Sequence, residues 1–137
     1  MIDPKELTDR YMAVWNEPDT EQRHKTITEL WTEDGVQILQ PPQEIRQTAA
    51  ALGMTPTLTA RGHDALQVRV TRAYEEFIAP GEFSFRARDN AARLDDVVKF
   101  NWEMVRKSDG TVAAVGLGIL VLGDDGRIRT DYQFIEA

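Results

Sequence analysis

The sequence contains no cysteine and only two histidines among its 137 residues. Without cysteine there are no disulfides, thiolate nucleophiles or Cys-based metal sites, and the chain suits a reducing compartment, so the expected location is cytoplasmic. His63 stands where a helix begins, and His24 shares a helical stripe with Ile27 and Trp31, packed or half exposed. The two histidines are separated and have no acidic partner at ligand spacing, so no metal site is expected. Basic residues are also in deficit: 16 Lys and Arg against 23 Asp and Glu give a net charge of −7. Such a surface repels phosphates and argues against nucleic acid as a partner. The opening Met1-Ile2-Asp3-Pro4-Lys5-Glu6 lacks the basic and apolar segments of a signal peptide. The longest apolar run, Val112 to Leu122, falls short of the ~20 residues that cross a membrane, so no membrane association is expected. The glycines fit neither dinucleotide nor phosphate-loop signatures, so no cofactor is expected. Ser84 and Ser108 have no nearby base in any recognisable pattern, which argues against a hydrolase triad.

What is present fits one domain over residues 1–137, long enough for a core without staples. Asp3-Pro4 followed by Glu6 marks a helix start, with Leu7, Tyr11, Val14 and Trp15 on one face and Asn16-Glu17-Pro18 as the stop. Asp19 with Gln22 resembles a capping box for a second helix. Its inner face is Ile27, Leu30 and Trp31, and Asp34-Gly35 ends it. Val36 to Gln40 has strand-like content cut off by Pro41-Pro42. Residues 43–60 are the least legible stretch, with a short helix over Gln43 to Leu52 closed by Gly53. Gly62-His63-Asp64 opens a third main helix, with Leu66, Val70, Ala73, Tyr74 and Phe77 on one side and Pro80-Gly81 at its end.

From Glu82 the hydrophobic period changes to two. Phe83, Phe85 and Ala87 form one strand, and Val98 to Arg106 a second. Val112 to Leu122 follows the turn Ser108-Asp109-Gly110, and Ile128 to Ile135 follows Gly123-Asp124-Asp125-Gly126. Short turns between alternating strands predict an antiparallel sheet, and helices before strands predict an α+β packing. Both faces of Val112–Leu122 are apolar, whereas antiparallel sheets usually keep one wet face. The helices can cover only one of them. Either the run is a central strand with little exposed area, or a second copy of the chain covers the other face; on the second, preferred reading a homodimer through the outer sheet face is the expected assembly.

Several local strings resemble the SnoaL-like branch of the nuclear transport factor 2 (NTF2) superfamily. They are Arg10-Tyr11 through Trp15-Asn16, Leu30-Trp31 to Asp34-Gly35, Gly62-His63-Asp64-Ala65, Phe100 to Glu103, and Asp125-Gly126-Arg127-Ile128. The resemblance spans nearly the whole chain, and its motifs mark caps, turns and packing aromatics. It implies a cone-shaped, cystatin-like α+β fold: three N-terminal helices on a curved, mainly antiparallel sheet, an apolar pocket between them, and dimerisation through the sheet's outer face. Aligned with the ketosteroid isomerases of this superfamily, Tyr11 retains their first-helix tyrosine. Their strand acid falls at Gly118 and their proton-moving aspartate near Gln40. An amide cannot serve as a carboxylate base and glycine offers no side-chain donor, so isomerisation by that route is disfavoured. SnoaL-type polyketide cyclases place an acid on the last strand, where Gln133 falls here. Asp131 lies two residues earlier, on the same face.

The same alignment places Phe100, Trp102, Met104, Gly116, Gly118, Leu120, Asp131, Gln133 and Ile135 on the pocket wall, with Tyr11 and Trp15 from the first helix. Gly116 and Gly118 leave room beside the aromatics or mark close packing in the sheet. Phe100, Trp102 and Met104 serve as core whether or not a ligand touches them. Asp131 in an apolar pocket would have its pKa raised toward that of a general base; its bland alternative is a rim position paired with Arg129. Tyr11 either donates to a ligand oxygen or is satisfied within the protein. The expected function is a pocket for a small hydrophobic molecule, with cofactor-independent proton transfer of the isomerase or cyclase kind. Asp131 would be the base, Tyr11 and Gln133 would orient the substrate, and Trp102 would form wall. The alternative is a non-catalytic ligand-binding or dimerisation module.

Overall fold

The structure is a computed structural model and describes residues 3–136. Helix α1 (Pro4–Asn16) begins where the sequence predicts, because the Asp3 carboxylate accepts the Glu6 N–H and Pro4 needs no donor partner in the first turn. Helix α2 (Thr20–Leu30) is capped by Asp19, whose carboxylate accepts the N–H groups of Glu21 and Gln22. It ends one residue before Trp31, which opens strand β1 (Trp31–Leu39). Trp31 is therefore not on the helix face. Its helical spacing from Ile27 survives because its backbone N–H still donates to the Ile27 carbonyl at the helix end. Asp34-Gly35 does not stop the helix either; it lies in an irregularity of β1 between Trp31 and Val36. His24, on the outer side of α2, is exposed.

Helix α3 (Gln43–Ala51) occupies the stretch expected to be a short helix, and the α-helices among the described residues number four rather than three. Strand β2 (Leu58–Arg61) follows, then α4 (Gly62–Ala73). His63 Nε2 donates to the Trp31 carbonyl at 3.0 Å, tying the start of α4 to the start of β1. The helix predicted to run on to Phe77 changes pitch instead: Tyr74–Ile78 is one π turn, in which the Ala79 N–H reaches back to the Tyr74 carbonyl. Strands β3 (Phe83–Ala87), β4 (Ala92–Leu94), β5 (Val97–Arg106), β6 (Val112–Leu122) and β7 (Ile128–Glu136) complete the chain.

Among the described residues the sheet has seven strands in the order β2-β1-β7-β6-β5-β3, with β4 on the edge of β5. All pairings are antiparallel except β1 with β7, which run side by side and place Gln37 opposite Asp131. The helices pack on one face of this curved sheet. Ile27, Trp31, Val70, Val98, Leu120 and Ile128 lose all solvent exposure there. Full burial of such side chains contributes roughly 1.5–3 kcal/mol each before entropy is counted. No helix among the described residues is long and apolar enough to cross a membrane.

Candidate functional site

Alternation along β7 points Asp131 and Gln133 toward the helices, and the β1–β7 register brings Gln37 beside them. Tyr11 descends onto this trio from α1. Its hydroxyl donates to Asp131 Oδ2 at 2.7 Å and accepts from Gln37 Nε2 at 3.1 Å and Gln133 Nε2 at 3.0 Å. Asp131 also accepts from Gln133 Nε2 at Oδ1, 2.7 Å, and from Gln37 Nε2 at Oδ2, 3.2 Å. It has no solvent exposure at all.

The outer ends of the network dictate its polarity. The indole Nε1 of Trp102 donates to Gln133 Oε1 at 2.7 Å, and Arg69 Nη1 donates to Gln37 Oε1 at 3.2 Å. Indole and guanidinium can only donate, so both glutamine oxygens must face outward and both amide nitrogens must face Asp131. Three donors then converge on one carboxylate, and a buried carboxylate is the group that satisfies them. Burial nevertheless dominates the titration. It lifts the Asp131 pKa from 3.8 to about 6, while the bonds from Gln133, Tyr11 and Gln37 and the Arg69 charge pull it down. Burial, followed by the adjacent Asp131 charge, pushes the Tyr11 phenol well above its ordinary value.

On the solvent side of this network lies a cavity of about 510 Å³ between α1, α4 and the sheet. Tyr11, Trp15, Trp102, Met104, Gln133 and Ile135, six of the residues picked out from the sequence, line it. The other five do not. Asp131 sits one layer behind, covered by Tyr11, Gln37 and Gln133, so it is neither an open-walled base nor a rim carboxylate paired with Arg129. Phe100 packs its ring 5.5 Å from that of Tyr11 in an edge-on contact, and Leu120 lies in the core beneath. Gly118 is filled over: a Cβ there would stand 2.6 Å from Phe100 Cε1 and 2.8 Å from Gln133 Nε2. Gly116 likewise leaves no open room, because its missing side chain is replaced by the Trp102 indole, into which a Cβ would fall. Of the two roles considered for these glycines, close packing is the one present.

The fold resembles known structures more than the sequence resembles known sequences. No protein-family model matches the chain, and no curated protein matches it. A SnoaL-like family protein from Agrobacterium tumefaciens, provisionally named an isomerase, superposes with a TM-score of 0.76 at 20% identity, covering 96% of each chain. A SnoaL-like protein of unknown function from Burkholderia thailandensis gives 0.61 at 14% identity over 100% of both chains. A protein from Sinorhizobium meliloti, provisionally named a polyketide cyclase, gives 0.58 at 13% identity over 93% of both. The chain has the SnoaL-like, NTF2-like fold.

Within this NTF2-like fold, the cavity also takes residues that sequence reasoning missed. Gln37 enters through a parallel pairing between strands 94 positions apart. Arg69 stands one position from the buried Val70 on α4, beside rather than on its apolar stripe. Glu76 and Phe77 are aimed at the cavity by the π turn, a local change of pitch of the kind that often re-aims side chains at functional sites. Aromatic packing continues along the wall, with ring centroids 6.2 Å apart for Phe77 and Phe85 and 5.9 Å for Phe85 and Trp102. A second hollow, of about 400 Å³, opens between Arg46, Met54 and the outer-face residues Tyr132 and Phe134. Tyr11, Trp15 and Trp102 take no part in it.

Proposed function

We propose that this protein binds a small, largely apolar molecule in the 510 Å³ cavity, with its polar end against Tyr11, Gln37 and Gln133. The observation that carries the reading is the composition of the wall. Aromatic and aliphatic side chains surround a few convergent polar groups, the usual build of a small-molecule site. Titration with a neutral bicyclic ketone, 2-acetonaphthone, is expected to give a saturable change in the fluorescence of Trp15 and Trp102. Ala114→Phe, which fills the cavity from β6, is expected to abolish it. A non-saturable change, or one indifferent to Ala114→Phe, contradicts the proposal.

One observation favours a catalytic reading as well: a carboxyl poised near neutrality in contact with a phenol that faces the cavity. The relatives provisionally named isomerase and polyketide cyclase accord with that chemistry, although activity belongs to sites and not to folds. Because Asp131 is covered, the proton path runs through Tyr11: its oxygen takes a proton from the substrate carbon as its own proton passes to Asp131. No cofactor is needed for this step. The test is exchange of the methyl protons of 2-acetonaphthone in D2O, followed by NMR. Catalysed exchange that is lost in Asp131→Asn and Tyr11→Phe supports the relay, and exchange at the buffer rate contradicts it.

A second copy of the chain remains the partner we propose for the outer face. Tyr132 and Phe134 are exposed there, opposite Ile119 and Leu117 in register. Light scattering is expected to report a dimer, and a monomer at high concentration contradicts it.

A further inference from the structure

We propose that the cavity selects ligands bearing a carboxylate, recognised by Arg69; this deepens the binding reading above and rests on it. Arg69 reaches the cavity wall from α4 and is half-buried. All of its hydrogen bonds among the described residues come from one nitrogen: Nη1 donates to Gln37 Oε1 (3.2 Å), the Gln37 carbonyl (3.4 Å) and the Leu58 carbonyl (3.1 Å). Nε and Nη2 have no acceptor among those residues, and Arg69 forms no ion pair with them.

Arg23, the buried arginine of α2, shows how this chain satisfies a guanidinium that has only a structural task. Its Nε, Nη1 and Nη2 each find an acceptor, in Glu17, Thr71 and Pro18, and its charge lies over the Tyr74 ring. Arg69 instead is anchored at one corner and left unspent along the Nε–Nη2 edge. That edge presents two parallel N–H donors at the spacing of carboxylate oxygens. A half-buried cation beside an apolar wall is costly without a counter-charge. The neighbouring carboxylates do not supply one by contact: Asp131 is separated from Arg69 by the Gln37 amide, and Glu76 is exposed and unpaired with it among the described residues. Asp131 acts on Arg69 only across that amide, and the unpartnered Nε–Nη2 edge fits a ligand, namely an apolar acid whose body lies against Trp15, Phe77 and Trp102.

The test compares 2-naphthoate with 2-naphthamide, a neutral molecule of nearly the same shape, by calorimetry at pH 7.5. Wild-type protein is expected to bind the carboxylate at least tenfold more tightly. In Arg69→Met the two affinities are expected to fall within twofold of each other through loss of naphthoate binding alone. Arg69→Lys, which keeps charge but not the fork, is expected to retain only part of the preference. Equal affinities in wild type overturn the carboxylate claim while leaving the cavity reading standing, and so does tighter binding of the amide. A preference that survives in Arg69→Met overturns the assignment to Arg69. If neither compound binds, both readings fall together.

Discussion

The two faces of strand β7 have opposite characters, and they are inverted relative to an ordinary sheet. Two successive inward positions are polar, Asp131 and Gln133, and both are buried. Its outward positions are apolar, Tyr132 and Phe134, and both are exposed. Strand β5 keeps the usual order, apolar inward and charged outward. On β5, Phe100 points inward and is buried, while the outward Glu103 is held by Arg86 and Arg88, which lower its pKa. Burying a carboxylate and exposing two aromatic rings both oppose folding of the isolated chain, so β7 is where ligand and partner are to be sought.

The largest expected effect breaks the inner face where it looks most permissive. Gly116→Ala drives a Cβ into the Trp102 indole and is expected to cost about 3 kcal/mol or more in urea unfolding. A cost below ~1 kcal/mol means that the indole is not seated there. Next comes the buried carboxylate. Its folded pKa of about 6 exceeds its ordinary 3.8, so its stabilising contribution is complete below 3.8 and is lost as pH rises through 6. The stability of wild type relative to Asp131→Asn is therefore expected to fall by up to about 3 kcal/mol between pH 4 and 7.5. A flat or rising difference contradicts the burial.

Smaller changes sharpen the comparison. Trp102→Phe keeps most of the ring but leaves Gln133 Oε1 without its donor, at an expected cost of about 1–2 kcal/mol on top of lost packing. Gln133→Met in the same background should then be less harmful than in wild type, a coupling visible in a double-mutant cycle. On the outer face, Phe134→Glu is expected to leave monomer stability within ~0.5 kcal/mol and to shift light scattering from dimer to monomer. Retention of the dimer means that another surface makes the contact.

Much of this contrast could be read from the sequence because strands have a period of two. Asp131 and Gln133 share a face by spacing alone, and the apolar doubling of Val112–Leu122 marks an apolar outer face. Caps at Asp3 and Asp19 were legible because their chemistry is local. Illegible features depend on distance or brevity. Strands β2 and β4 have four and three residues, too few to show a period. Trp31 kept helical spacing while already in a strand. Gln37 joins Asp131 only through the parallel β1–β7 pairing, and Arg69 joins Gln37 only when α4 lies across that strand. Gln37, held there by Arg69, joins Tyr11 and Gln133 in covering the carboxylate, which is why a residue expected on the pocket wall is found behind it.

Everything distinctive about the inner face follows from one carboxylate, sealed from water, on which Tyr11, Gln37 and Gln133 converge. Carboxyl-carbon NMR of Asp131 through a pH titration reads that arrangement directly. A midpoint near 6 is predicted; a midpoint at the ordinary aspartate value of 3.8 would show a solvated group and contradict it.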